Sequence, residues 1–190
     1  EAIALERDDV RVEHQPGAPL PRVTVRVKQN AQRISGKGGT YMLVQPPKTK
    51  AGYRDVPIMA ADVPIFLEHL EKYAPTSSTV VQTSEGERSA VLFTVTNAGR
   101  MVMDTSYRSV LARAKERAGV SPDIDPHTGR NWLITRLAEQ DAHLKEIGRL
   151  LGQDDVTTIL NVYLKVRAER TTSLMDKVSN TLEVEDDGTA

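Results

Sequence analysis

Apolar and polar residues alternate at period two through Val23-Thr-Val-Arg-Val27, the pattern of a strand with one face buried. Tyr41-Met-Leu-Val44, closed by Pro46-Pro47, predicts a second strand. Tyr53 to Ile58 predicts a third, separated from the second by Lys48-Thr-Lys-Ala-Gly52. The stretch between the first two, residues 28–40, is polar and glycine-rich and reads as a flexible basic loop. Three short strands in succession predict a small antiparallel sheet. After Pro57 the period turns helical. Asp62 and Pro64 supply a cap and first turn for a helix carrying Ile65, Leu67, Leu70 and Tyr73. Residues 75–90, rich in Ser, Thr and Glu, read as a loop, and Val91-Leu-Phe93 as a short apolar piece. Asp104 caps a second helix through Val110, Leu111 and Ala114, ended by Gly119. Beyond the linker marked by Pro122 and Pro126, helices are predicted at about 127–140, 143–151, 156–167 and 171–182. The fold class is therefore mainly α with a small antiparallel β-sheet (α+β). The opening Glu1 to Val10 reads as the end of a helix, so the chain is expected to begin inside an element of a longer protein.

Composition narrows the function classes. With 190 residues there is room for one sizeable core, and 39% hydrophobic with 27% charged residues is ordinary for a soluble globular domain. No apolar run reaches the ~18–20 residues that span a bilayer, and no signal-peptide pattern is present. Cysteine is absent, which excludes disulfides and thiolate metal sites and permits a reducing cytoplasm. A net charge of −1 argues against a nucleic-acid binder until the placement of charge is considered. Between Glu13 and Asp55 no acidic residue occurs, while Arg22, Arg26, Lys28, Arg33, Lys37, Lys48, Lys50 and Arg54 all fall there. One basic segment on a neutral chain points to a local polyanion site, or to a solvated face with no partner. Glu183, Glu185, Asp186 and Asp187 make residues 183–190 an acidic tail, expected to be disordered.

The candidate chemistry lies downstream. His127-Thr-Gly-Arg130 comes directly after Asp125-Pro126, where a helix should begin. A His and an Arg three apart share a helix face, and near its N-terminus they can join free backbone N–H groups in holding an oxyanion. Alone, the pair is common and most often lies on the surface. Leu150-Leu-Gly-Gln153 and Thr157-Thr-Ile-Leu-Asn-Val-Tyr163 lie beyond it, Gln153 being 23 positions after Arg130 and Tyr163 ten after Gln153. This string resembles the signature of the tyrosine recombinases (the phage integrase family): His-x-x-Arg, then Leu-Leu-Gly-His/Trp, then Thr-Thr…Tyr. Pro47-Lys-Thr-Lys-Ala-Gly-Tyr-Arg-Asp-Val-Pro-Ile58 resembles that family's lysine-bearing β-hairpin, and Glu1 to Val10 resembles the segment just after its first arginine. Four motifs in order cover nearly the whole chain.

The resemblance implies the catalytic fold of DNA breaking and rejoining enzymes over residues 1–182, and site-specific cutting and rejoining through a 3′-phosphotyrosine. Its catalytic residues would be Lys48, His127, Arg130, Gln153 and the nucleophile Tyr163. Arg130 offers a planar fork to two phosphate oxygens, and His127 can donate a hydrogen bond or shuttle the phenol's proton. A free tyrosine phenol ionises only at about pH 10, so as a nucleophile at neutral pH Tyr163 needs cationic neighbours or a base. Lys48, at a hairpin tip, would protonate the 5′ leaving oxygen, with Lys50 as its rival. Arg26, Lys28, Arg33, Lys37, Lys50 and Arg54 are the expected DNA contacts. No metal or cofactor is required, because the phosphotyrosine conserves bond energy. The bland alternatives make Tyr163 a core tyrosine and Lys48 a turn residue; Gly152 is expected to serve a tight turn whatever the function, Trp132 and Leu133 to lie in the core, and His14, His69 and His143 to be surface residues.

Two departures qualify the expectation. The family's first arginine would lie upstream of Glu1, and so would the helical clamp domain, so these 190 residues alone should cleave poorly and bind DNA weakly. Gln153 replaces the usual His or Trp; it can donate a hydrogen bond but carries no charge. The partners implied are double-stranded DNA attachment sites and a homotetramer on them, residues 171–182 docking on a neighbouring protomer or packing on their own domain. A bacterial or phage-encoded protein acting in the cytoplasm, without a membrane, is the expected setting. The rival functions are a catalytically silent DNA-binding relative and a type IB topoisomerase, which works as a monomer.

Overall fold

A computed structural model describes residues 1–36, 39–121, 123–152, 157, 159–165, 171, 174, 175 and 179. The chain divides into two compact units, Glu1–Asp123 and Ile124–Ala190.

In the first unit the alternation of Val23 and Val25, both buried, produces β2 (Arg22–Val27). β2 pairs antiparallel with β1 (Val10–Glu13), Val25 opposite Val10, and on its other edge with β5 (Arg54–Pro57), Val25 opposite Val56. This is the predicted small antiparallel sheet, with β1 in place of the expected second strand. On its polar face Asp55 lies 3.4 Å from Arg11 and 3.5 Å from Arg26, one carboxylate answering an arginine from each of the other two strands.

A second sheet was not legible as such. Residues expected to form a basic loop make β3 (Asn30–Gly36), which pairs in full register with β4 (Gly39–Gln45). Polar residues such as Gln32, Arg33 and Ser35 hide a strand here because most of β3 is exposed, so no buried face imposes an apolar alternation. Residues expected as a Ser/Thr/Glu loop form the hairpin β6 (Thr79–Thr83) and β7 (Gly86–Ala90). β6 joins β4 in parallel, so this sheet, ordered β3-β4-β6-β7, is mixed. Its core holds Val44, Val81, Ala90, Leu92 and Ala4.

The opening segment is not the end of an α-helix. It forms short 3₁₀ turns at Ala2–Ala4 and Arg7–Asp9. It is held extended by the amide of Arg7 donating to Val91 O (2.8 Å) and that of Phe93 donating to Leu5 O (2.7 Å). The apolar Val91-Leu-Phe93 is thus the partner that pulls this segment out of a helix. The side chain of Arg7 then donates to the carbonyls of Leu70 (2.8 Å) and Ala74 (3.0 Å), at the carbonyl-rich end of α1 (Val63–Lys72), where a cation is favoured.

α2 (Asp104–Ala118) ends at Gly119 as predicted, with φ +62, a left-handed conformation that costs glycine little. Its cap is Met103, and Asp104 instead lies in the first turn, 3.5 Å from Arg33 and 3.8 Å from Arg108.

The second unit contains α3 (Pro126–Glu139), α4 (Leu144–Leu151) and helical residues 159–165. Ile134, Ile147, Leu151 and Ile159 form its buried core, with Leu133, Leu137, Val162 and Tyr163 packed around them. Gly152 closes α4 with φ +69, the tight turn the sequence predicted. His143, expected on the surface without a role, caps α4: its Nδ1 accepts from the Lys145 amide (3.2 Å) and its own amide donates to Glu146 (2.7 Å). Trp132, expected in the core, is 49% exposed, with the Arg136 guanidinium 5.7 Å from its ring. His69, expected on the surface, is half-buried. Its ring lies 4.6 Å from that of Phe93, and Nε2 is 3.1 Å from Phe93 O. The acidic tail 183–190 lies outside the described residues.

Candidate active site

Asp125 sets the start of α3. Its carboxylate accepts from the Thr128 amide (2.7 Å) and hydroxyl (3.0 Å), and its own amide donates to Thr128 Oγ1 (3.2 Å). The Thr128 amide and hydroxyl hold this exposed carboxyl below its ordinary range. Sequence reasoning expected the first-turn amides to help hold a phosphate. The amide of Thr128 is instead taken by the Asp125 carboxylate, because aspartate is among the strongest N-caps, and that of Gly129 makes the first intrahelical bond to the Asp125 carbonyl (3.3 Å). What α3 presents is side chains: His127 exposed and, three residues on, Arg130 half-buried.

Arg130 stands one helical turn before Ile134, which is fully buried at the centre of the unit's core. Tyr163 stands one turn after Ile159, also fully buried and in the same core, and its half-buried side chain packs against that cluster. The spacing that reads as ordinary amphipathicity thus serves two ends. Every fourth residue inward makes the core, and the next residue on the same stripe is left at the rim with a guanidinium or a phenol. Gln153 lies outside the described residues.

Lys48 is exposed, on the connection from β4 to β5. These strands belong to different sheets, so Lys48 is not at the tip of a simple hairpin. The antiparallel partner of β5 is β2, and the β3–β4 ribbon is inserted between them. Sequence spacing alone could not separate a hairpin from this longer connection, since the polar β3 was not recognisable as a strand. Lys50 opens the 3₁₀ turn Lys50–Gly52 and is also exposed.

The expected DNA-contact residues divide into two groups. Lys28 is held by acids of its own unit, 2.9 Å from Asp9 and 3.2 Å from Glu6. Asp9 is 4% exposed, and Glu6 also accepts from Arg88 (2.6 Å) and Gln29 (2.9 Å). Burial alone would raise the Glu6 carboxyl, but the hydrogen bonds from Arg88 and Gln29 and the charge of Lys28 hold it below its usual value. Burial would likewise lower Lys28, yet Asp9 and Glu6 together raise it. Arg54 is tied to Glu1 through a fork of 2.8 and 3.0 Å. Arg26 and Arg33 make looser pairs at 3.5 Å with Asp55 and Asp104. Lys37 lies outside the described residues. The part-buried Glu6–Asp9–Lys28–Arg88 cluster carried no signal in the sequence, because its members lie up to 82 positions apart.

No described helix is long and apolar enough to cross a membrane, and among the described residues no group of three His, Asp or Glu could hold a metal ion.

Comparison with known proteins places these features in context. The chain is 30% identical over 169 residues to the tyrosine recombinase XerD of Corynebacterium glutamicum, covering 89% of this chain and 44% of that protein. It is 28% identical over 138 residues to a XerC-like tyrosine recombinase of Caldanaerobacter subterraneus, covering 72% of this chain and 34% of that one. The chain thus spans less than half the length of these curated relatives. Its fold is similar to that of the Tn1549 transposon integrase solved in complex with transposon right end DNA, with a TM-score of 0.59 at 21% identity over 77% of this chain and 48% of that one. The sequence pattern of the phage integrase family matches residues 25–170, and the chain belongs to that family.

Proposed function

We propose that the protein to which this chain belongs is a site-specific tyrosine recombinase that cuts and rejoins double-stranded DNA. The observation that carries the reading is the placement of Arg130 and Tyr163, each one helical turn from an isoleucine of the same buried core, within the matched family span. A phosphodiester is guarded by its own charge, so the reaction depends on neutralising the phosphate as the pentacoordinate state forms. Arg130 supplies a planar bidentate donor, and His127 a hydrogen bond or a route for the phenolic proton. Tyr163 Oη attacks phosphorus and the bond to the 5′ oxygen breaks. That oxygen takes a proton from Lys48, with Lys50 the competing donor. The covalent 3′-phosphotyrosine retains the bond energy, and attack by a 5′ hydroxyl reverses the step. Gln153 would donate a hydrogen bond to the phosphate without adding charge.

Arg26, Arg33, Lys37 and Lys50 are the proposed backbone contacts. Lys28 and Arg54 contribute less, because their charge is already answered by carboxylates. Residues 1–182 form the catalytic region, 183–190 an acidic tail, and assembly on paired DNA sites is as a homotetramer in the cytoplasm.

The test uses the full-length protein with a pool of nicked duplexes tiling the DNA that flanks its gene. Denaturing gels report any covalent protein–DNA adduct. An adduct that forms with the parent and vanishes in Tyr163→Phe establishes the nucleophile. Salt-sensitive binding without an adduct from any duplex overturns the enzyme reading in favour of a silent DNA-binding relative. An adduct formed by a protein that stays monomeric on DNA points instead to topoisomerase-like action.

A further inference from the structure

The segment that carries Lys48 is exposed and lies between two sheets, yet a proton donor must stay within hydrogen-bond reach of one oxygen. The local structure holds it from beneath. The amide of Gly52 donates to Thr49 O (3.1 Å) and that of Tyr53 to Lys50 O (3.1 Å), closing a 3₁₀ turn directly after Lys48. Gly52 is pressed against Pro47, so that a Cβ there would fall 2.3 Å from the proline Cβ. Both ends of the lysine-bearing stretch, residues 47 and 52, are therefore in contact.

Arg54 joins this turn to the opening segment. One guanidinium nitrogen donates both to Gly52 O (3.1 Å) and to Glu1 Oε1 (3.0 Å), while the other donates to Glu1 Oε2 (2.8 Å). Its side chain is only 10% exposed although it bears a full charge. A planar fork that spans both oxygens of one carboxylate and a turn carbonyl fixes direction as well as distance, which a lysine at the same place cannot do.

We infer that Arg54 is a positioning residue for the lysine general acid, acting through the Gly52 carbonyl and the Glu1 carboxylate rather than on DNA. The inference rests on the recombinase reading above. In the cleavage step the Tyr163 oxygen bonds to phosphorus, the phosphorus–O5′ bond breaks, and O5′ takes the proton that leaves the Lys48 ammonium neutral. If the bridging O5′ is replaced by sulfur, the leaving group departs as a thiolate. A thiol with a pKa of about 8.5 needs no proton from the enzyme at neutral pH. Sulfur substitution therefore relieves a defect in the delivery of that proton and leaves other defects in place.

The experiment takes the duplex that yields an adduct with the full-length parent, with oxygen or sulfur at the mapped 5′ bridging position. Arg54→Ala should slow adduct formation on the oxygen substrate by on the order of 10²-fold, the effect of a general acid displaced by about 1 Å. On the sulfur substrate it should run at the parent's rate, as should Lys48→Ala. Arg54→Lys should fall between parent and Arg54→Ala on oxygen and be fully rescued by sulfur. Equal slowing of Arg54→Ala on both substrates, with Lys48→Ala rescued, overturns the inference and makes Arg54 a plain structural ion pair. Should Arg54→Ala fail to fold, equal slowing of Arg54→Lys on both substrates overturns it in the same way. A parent that forms no adduct on any duplex removes the recombinase reading itself, an outcome distinct from failed rescue.

Discussion

Replacing Ile134 by alanine tests whether the stripe Arg130–Ile134 and the stripe Ile159–Tyr163 share one core. Ile134 is fully buried against Ile147, Leu151 and Ile159. The change deletes three carbons. At about 0.8 kcal/mol per buried CH₂ that removes roughly 2.4 kcal/mol of transfer free energy, less about 0.5–1 kcal/mol of side-chain entropy no longer lost on folding. The residual cavity adds to the loss, since neighbouring side chains collapse only in part, and the total falls at about 3 kcal/mol. Trp132, the single tryptophan, lies two residues away on α3 and half exposed, so its fluorescence reports on this unit. With a urea m-value of about 1–2 kcal/mol/M, the fluorescence midpoint should drop by roughly 1.5–3 M. Ile65→Ala, at a position 69% exposed on α1, serves as the control and should leave that midpoint in place. A loss below about 1 kcal/mol for Ile134→Ala, or an equal shift for Ile65→Ala, refutes the packing argument.

The other expectations are separately checkable. Folded, the Glu6 carboxyl lies below its ordinary 4.5, so its contribution is complete above that value and lost as pH falls through the lower folded value. Lys28 lies above its ordinary 10.5, so its contribution is complete below that and lost as pH rises through the higher folded value. The melting-temperature gap between parent and Glu6→Gln should therefore be constant near neutrality and close in acid; a gap unchanged down to pH 3 is incompatible with this. Gly119→Ala places a Cβ at φ +62, a left-handed strain of roughly 1–2 kcal/mol, read as a loss in urea stability of the first unit; no loss would mean that the end of α2 is not held in that conformation. In the full-length protein, Tyr163→Phe should abolish the adduct and spare DNA binding, measured by gel shift across a salt series; persistence of the adduct would assign the nucleophile elsewhere.

In β2 and in the helices of the second unit, where one face meets a core, the sequence pattern determined the outcome. Val23 and Val25 alternate because one side of β2 is buried, and the helical stretches carrying Arg130 and Tyr163 arise from apolar residues at three- and four-residue spacing. The helix stops at Gly119 and Gly152 were legible too, because only a left-handed residue ends a helix that way at little cost. Local chemistry placed these stretches in helices, and the resemblance to the tyrosine recombinases singled out His127, Arg130 and Tyr163 within them as candidates. Tertiary structure alone decided the rest. β3 has almost no buried face, so its polar residues look like a loop until β4 supplies hydrogen-bond partners. Leu5 and Glu6 have the composition of a helix, but pairing with Leu92 and Phe93, far along the chain, draws them into an extended path. The same holds for charge. Arg54 and Lys28 are ordinary members of a basic run in the sequence, and only folding brings them to Glu1, Glu6 and Asp9. Contacts between residues tens of positions apart leave no period in the chain, because nothing in local geometry requires them.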